Sequence, residues 1–316
     1  MADMFDIEKK AYDYICSLLV QDNIIIVDNE SGTHLQYEVY CKNDGVVYSM
    51  FTINLCDEEH IDDNPSLPAC YLECHFFDTL QKDVFVKIPI YNELYSKLRE
   101  KIVAHGVVSG ISNVSGVCHE VINIFSIMIN ECTEQVIEDM SSSDIRVSLS
   151  VNSKTFQVFG RDNETEYLLY VLILDNGVVD TNTNDSFVLK YHPQGIIYPL
   201  LEVALASNMS HILREKIDNL LFNGIISDIQ SGYVYIDNEN SNGFSNLSVL
   251  IRSNNIDDDT YLVFQRNSTI EDDIVGYIYV YPTYMDINGE YLHRIRLTIG
   301  MSKIFMMEIS KISFKK

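Results

Sequence analysis

Tryptophan is absent from these 316 residues, and cations are scarce: 22 Lys and Arg stand against 46 Asp and Glu, a formal charge of −24. A field of that sign repels DNA, RNA and anionic lipid. Direct nucleic-acid binding and membrane-surface binding are therefore set aside, and a basic protein partner is expected. No Lys or Arg occurs between Lys101 and Arg146. The C-terminal end is the exception, because from His293 onward Arg294, Arg296, Lys303, Lys311, Lys315 and Lys316 oppose only Glu308. No apolar run approaches the ~18 residues that a membrane-spanning helix needs. The N-terminal stretch MADMFDIEKKAYDY carries acids where a signal peptide carries cations, and it lacks an apolar core. All seven cysteines lie at or before Cys132. An odd count confined to the first half is not a disulfide framework, and it fits a reducing compartment such as the cytoplasm.

Motifs for chemistry are missing as well. There is no G-x-S-x-G, no G-x-x-x-x-G-K-[ST] and no G-x-G-x-x-G, so no catalytic residue and no cofactor are assigned. Cys70-x3-Cys74-His75 suggests zinc, but on a strand Cys70 and Cys74 lie about 13 Å apart at ~3.3 Å per residue. Both cannot then reach one ion at ~2.3 Å, so these side chains are read as one face of a buried strand. Asp237–Gly243 (DNENSNG) opens like a calcium loop, but its glycine falls at the seventh position and Ser248 occupies the twelfth, so no metal is assigned there.

What is present is pattern. Apolar residues make up 47% of the chain, enough for a packed core. Tyr37–Phe51 (YEVYCKNDGVVYSMF) reads strand–turn–strand, and the pattern returns at Phe156–Tyr170 and Leu247–Phe264. Each copy has a valine (Val39, Val158, Val249), a cation three residues later (Lys42, Arg161, Arg252) and, past the turn, a tyrosine and then an aromatic (Phe51, Tyr170, Phe264). LREKI occurs twice, at Leu98–Ile102 and Leu213–Ile217, each followed by Gly, two β-branched residues and Ser. An internal repeat is expected.

The expected architecture is α+β: tandem helix-plus-antiparallel-sheet modules over residues 1–110, 117–223 and 224–316, the last mostly β. Helices are expected over Asp6–Val20, Tyr91–His105 and Val117–Met140, and from Pro199 to about Asn223. The third of these is apolar most of the way round, which suits burial between domains. Gly106–Gly116 has the composition of a linker. Asn-Gly within Asp286–Glu290 marks a hairpin. The repeat phase places a closing helix near residue 300, whereas the alternation of Lys303–Ile312 reads as a strand.

These patterns lead to a non-catalytic acidic protein that binds a basic protein partner. One version is an inhibitor that presents carboxylates where nucleic-acid phosphates would sit. Its candidate residues are Asp57, Glu58, Glu59, Asp62 and Asp63, then Asp257, Asp258 and Asp259, then Glu271, Asp272 and Asp273. Such triplets are also common in solvated turns. A second version is a chaperone or adaptor holding a partner segment on an apolar surface. An enzyme or small-ligand binder with a pocket between modules is the alternative from another class, and a homo-oligomer is allowed.

Overall fold

In the computed structural model of the chain, the residues described are 5–29, 35–55, 70–77, 83–90, 92–150, 155–162, 165–175, 186–191, 201–232, 234–236, 246–252, 259–271, 274–281 and 291–313. They form an α+β protein with two compact units, residues 1–135 with 188–206 and residues 136–187 with 207–316. Helix α1 (Phe5–Leu18) leads into β1 (Ile24–Asn29), β2 (Leu35–Asn43), β3 (Val46–Leu55), β4 (Cys70–Phe77) and β5 (Asp83–Ile90), and then α2 (Asn92–His105). Two short strands follow, β6 (Val107–Val108) and β7 (Val114–Val117), and then α3 (His119–Asp139). Next come β8 (Ile145–Ser150), β9 (Thr155–Asp162), β10 (Thr165–Asp175), β11 (Ser186–Tyr191), β12 (Leu201–Ala204) and α4 (Ser210–Ser231). The last group is β13 (Val234–Ile236), β14 (Asn246–Arg252), β15 (Asp259–Glu271), β16 (Ile274–Tyr281), β17 (His293–Thr298) and α5 (Ile299–Ser313). Among the described residues the order of five strands and then a helix occurs three times.

In the first unit the strands run β6-β1-β2-β3-β4-β5-β12-β11, with β7 beside β3. The β2–β3 hairpin closes at Asn43 and Val46 through Asp44 and Gly45, both at positive φ (51° and 81°). That is the turn whose twist matches an antiparallel pair, and Asp-Gly is its preferred sequence. Val39 pairs with Phe51 here, and in the β9–β10 hairpin Val158 pairs with Tyr170; all four are buried. In the third hairpin Phe264 faces Leu247 instead. Both LREKI copies are helical, and both bury their Leu and Ile one turn apart: Leu98 with Ile102, Leu213 with Ile217.

The second unit holds β8-β9-β10 and a five-stranded antiparallel sheet β13-β14-β15-β16-β17. Helix α4 packs on β8, β14 and β17, and α5 packs on β16, β17 and α4. Alternation sets the buried side of that sheet: Ile278 and Val280 on β16, and His293, Ile295 and Leu297 on β17, are buried between less buried neighbours.

Four expectations need correction. The segment after Pro199 is not helical: Leu201–Ala204 is strand β12, paired to β5 through Val203 and Val86. The next helix instead starts at Ser210 and continues through Gly224 to Ser231, because Leu221, Phe222, Ile225 and Ile229 carry its buried stripe onward. It stops at Gly232, whose left-handed φ of 84° lets its N–H reach the Asp228 and Ile229 carbonyls. Helix α3 is one-sided, burying Val121, Phe125, Met128, Cys132 and Val136 while exposing Ile127. The tail is helix α5 and not a strand, since Phe305, Glu308 and Ile309 are buried at helical spacing. The Gly106–Gly116 stretch pairs with the sheet at both ends, through β6 on β1 and β7 on β3, while Ile111 packs on Val27, Tyr40 and Val47. The Asp286–Glu290 turn and Asp237–Gly243 lie outside the described residues.

Candidate functional site

The first unit has a cleft of about 750 Å³ where three chain turns meet. Leu19, Val20, Gln21 and Asp22 lead from α1 to β1, which adds Ile24, Ile25 and Ile26. Lys101, Ala104 and His105 come from the last turn of α2. Gly106, at φ +92°, then turns the chain into β6, whose Val107 and Val108 complete the wall. His105 holds these pieces together: Nδ1 lies 2.8 Å from the Leu19 carbonyl and Nε2 2.9 Å from the Ile24 carbonyl. The ring is wedged between two backbone oxygens, and its N–H donates to one of them, the choice being set by the tautomer. Replacing it with alanine takes that donor away and empties the space between the two carbonyls. His105→Ala is expected to cost about 1–3 kcal/mol in urea unfolding, with amide NMR shifts concentrated in residues 19–26. The rim mixes apolar and polar side chains: Val20 is 76% exposed and Val108 nearly half exposed, beside exposed Gln21, Asp22 and Lys101. Large side chains left in water at a concave site serve binding better than folding.

The second unit has a buried charge network. Asp218 accepts from His293 Nε2 at 2.8 Å through Oδ1, and from Arg296 Nε at 3.1 Å and the Arg296 backbone N–H at 3.3 Å through Oδ2. Burial alone would raise the Asp218 carboxyl, but the hydrogen bond and charge of His293, then the charges of Arg296 and Arg214, hold it below its usual range. Phe156 meets the His293 ring edge-on at 5.0 Å. The His293 and Asp218 side chains are 2% and 4% exposed, so no substrate reaches this acid–imidazole pair. It ties α4 to β17. Cys41 is equally inert: burial, with help from a hydrogen bond to Cys118, pushes its thiol up to about 12.

The side of the second sheet opposite Ile278 and Val280 carries an aromatic strip, half-buried at Tyr277, Tyr279 and Tyr291 and buried at Tyr281. Tyr279 meets Tyr277 (6.0 Å between centroids) and Tyr291 (5.0 Å), which also meets Tyr281 (6.3 Å). The Arg294 guanidinium lies over the Tyr277 ring at 4.5 Å. Burial first, and then the neighbouring Tyr279 and Tyr291, raise the Tyr281 hydroxyl.

Of the acidic residues singled out in the sequence, Asp57, Glu58, Glu59, Asp62, Asp63, Asp257, Asp258, Asp272 and Asp273 lie outside the described residues. Asp259 opens β15 opposite Arg252, and Glu271 closes it opposite Ile274. These two stand at opposite ends of a 13-residue strand whose pairing with β16 slips between Arg266 and Glu271. The cleft escaped sequence reasoning because no spacing rule links residues 19–26 to residues 101–108. The strip left a trace, since Tyr277, Tyr279 and Tyr281 alternate in the sequence. Among the described residues no group of three or more His, Cys, Asp or Glu could hold a metal ion, and no helix is long and apolar enough to cross a membrane. No known protein family, curated protein or solved structure matches this chain.

Proposed function

We propose that this chain is a non-catalytic interaction protein whose acidic surface engages a basic protein partner, in the manner of an adaptor. The charge of −24 carries the reading, because such a field draws in cationic surfaces and speeds their encounter. The cleft supports the adaptor version: its exposed valines accept apolar side chains while the surrounding field holds basic flanks. A phosphate mimic needs carboxylates in rows, and Asp259 and Glu271, at opposite ends of β15, do not by themselves make one. Cysteine usage fits a cytoplasmic setting.

The test is capture from host lysate at low and high salt with three baits. Wild type should retain a basic protein. Val20→Glu with Val108→Glu, both on exposed positions, should lose it at both salts. Neutralising Asp57, Glu58, Glu59, Asp62 and Asp63 to Asn and Gln should weaken capture mainly at low salt, where surface charge acts over the longest range. A partner held equally by all three baits would sink the proposal.

A further inference from the structure

We propose that the half-buried face of β16 and β17 that carries Tyr277, Tyr279 and Arg294 is a second docking surface, for an extended segment of another protein that presents a carboxylate. This goes beyond the acidic-surface reading, since it uses the opposite charge.

The two sides of the sheet differ in kind. One side, with Ile278, Val280, Ile295 and Leu297, is buried, and α4 and α5 pack on these strands. On the other, Tyr279 stands in register with Val263 on β15 and Arg294 on β17, and Tyr277 with Gln265 and Arg296. Tyr277, Tyr279, Tyr281, Tyr291 and Arg294 form one contacting strip. Tyrosine and arginine are the side chains that dominate binding energy at protein interfaces. The tyrosines restrain one another, so little side-chain entropy is left to lose on binding.

Arg294 supplies the charge argument. Among the described residues no carboxylate pairs with it, whereas Arg296 is engaged by Asp218 and Arg146 by Glu166. Its guanidinium is held flat over Tyr277, and its buried Nε has no hydrogen-bond partner. A stacked guanidinium keeps its remaining N–H donors in its own plane, the geometry that accepts a carboxylate edge-on. Among the described residues the strip thus carries a cation and no carboxylate, and its complement is a carboxylate.

Spacing supplies the conformation. Tyr277, Tyr279 and Tyr281 alternate along one strand, so their rungs repeat about every 6.6 Å, two residues at ~3.3 Å. Alternate side chains of an extended segment have the same repeat. The fitting partner therefore has an apolar residue two positions before a Glu, with its carboxylate on Arg294 and that apolar side chain against Tyr279, since Tyr281 at the end of the row is buried.

The experiment uses the full chain and a labelled peptide, Leu-Ser-Leu-Ser-Glu-Ser, read by fluorescence anisotropy. Saturable binding is expected. Replacing Glu by Gln in the peptide, or Arg294→Gln in the protein, should each weaken binding about tenfold, the scale of one lost charge-assisted hydrogen bond. The two changes together should cost little more than either alone, because they remove one interaction. Arg294→Lys should recover part of the loss, and Tyr279→Thr should weaken binding severalfold, both with unchanged melting. Equal affinity for the Glu and Gln peptides, or no loss in Arg294→Gln, overturns the proposal. A Lys peptide that binds more tightly also overturns it, while leaving the basic-partner reading intact. Self-association in sedimentation that Arg294→Gln abolishes would identify a second copy as the occupant and overturn the assignment to another protein.

Discussion

Asp218→Ala is expected to lower the stability of the second unit by about 3–5 kcal/mol, the range for removing one partner from a buried ion pair. The carboxylate accepts from three donors, one on His293 and two on Arg296. Its loss leaves those donors facing a buried gap, with the Arg214 charge nearby. The pH dependence has a definite sign. Because the folded carboxyl titrates below its ordinary value of about 3.9, its stabilisation is complete above that pH and disappears as pH falls through the lower, folded value. Wild type should therefore lose stability on acidification below about pH 4, and Asp218→Asn should lose less over the same interval. Urea unfolding at neutral and acid pH measures both effects. An alanine variant within a few tenths of a kcal/mol of wild type would show that the network is not what holds α4 to β17.

Phe305→Ala should cost about 3–5 kcal/mol, as for a fully buried phenylalanine elsewhere. Its ring lies 5.6 Å from that of Phe264, and it is entirely inaccessible to solvent. Its neighbours make this a test of conformation. A strand would put Phe305, Met307 and Ile309 on one face, so that truncating any of them would be costly. The helix buries Phe305 and Ile309 but leaves Met307 52% exposed. Met307→Ala is then expected to fall within about 0.5 kcal/mol of wild type. A large loss at Met307 would contradict the helical packing of the tail.

These two cases mark how much of the fold was legible beforehand. The hairpins were readable because alternation and a turn of Asp-Gly are local signals. The tail was not, because IFMMEISKI alternates weakly as a strand and also repeats weakly as a helix. The packing of Phe305 on Phe264 and the burial of Ile309 decide between the two. The echoes after LREKI make the same point. Gly106-Val107-Val108-Ser109 leaves its helix at a glycine with φ +92° and joins β1, while Gly224-Ile225-Ile226-Ser227 stays inside α4. Near-identical local sequence adopted two structures because Ile225 and Ile229 find a buried face to pack against, whereas Val107 finds the edge of β1.

The site was less readable than the fold. The cleft, the His105 clamp and the Asp218 network each join residues 75 or more positions apart, and one sequence carries no signal for such pairings. By itself the sequence determined the acidic field, the hairpins and their turns, and the LREKI helices, all set by charge count and by periods of a few residues. The tertiary structure alone decided where α4 begins and ends, that the tail is a helix, and which charges are buried together. Those outcomes depend on the surface each segment packs against, and burial outweighs local propensity whenever the propensity is nearly balanced.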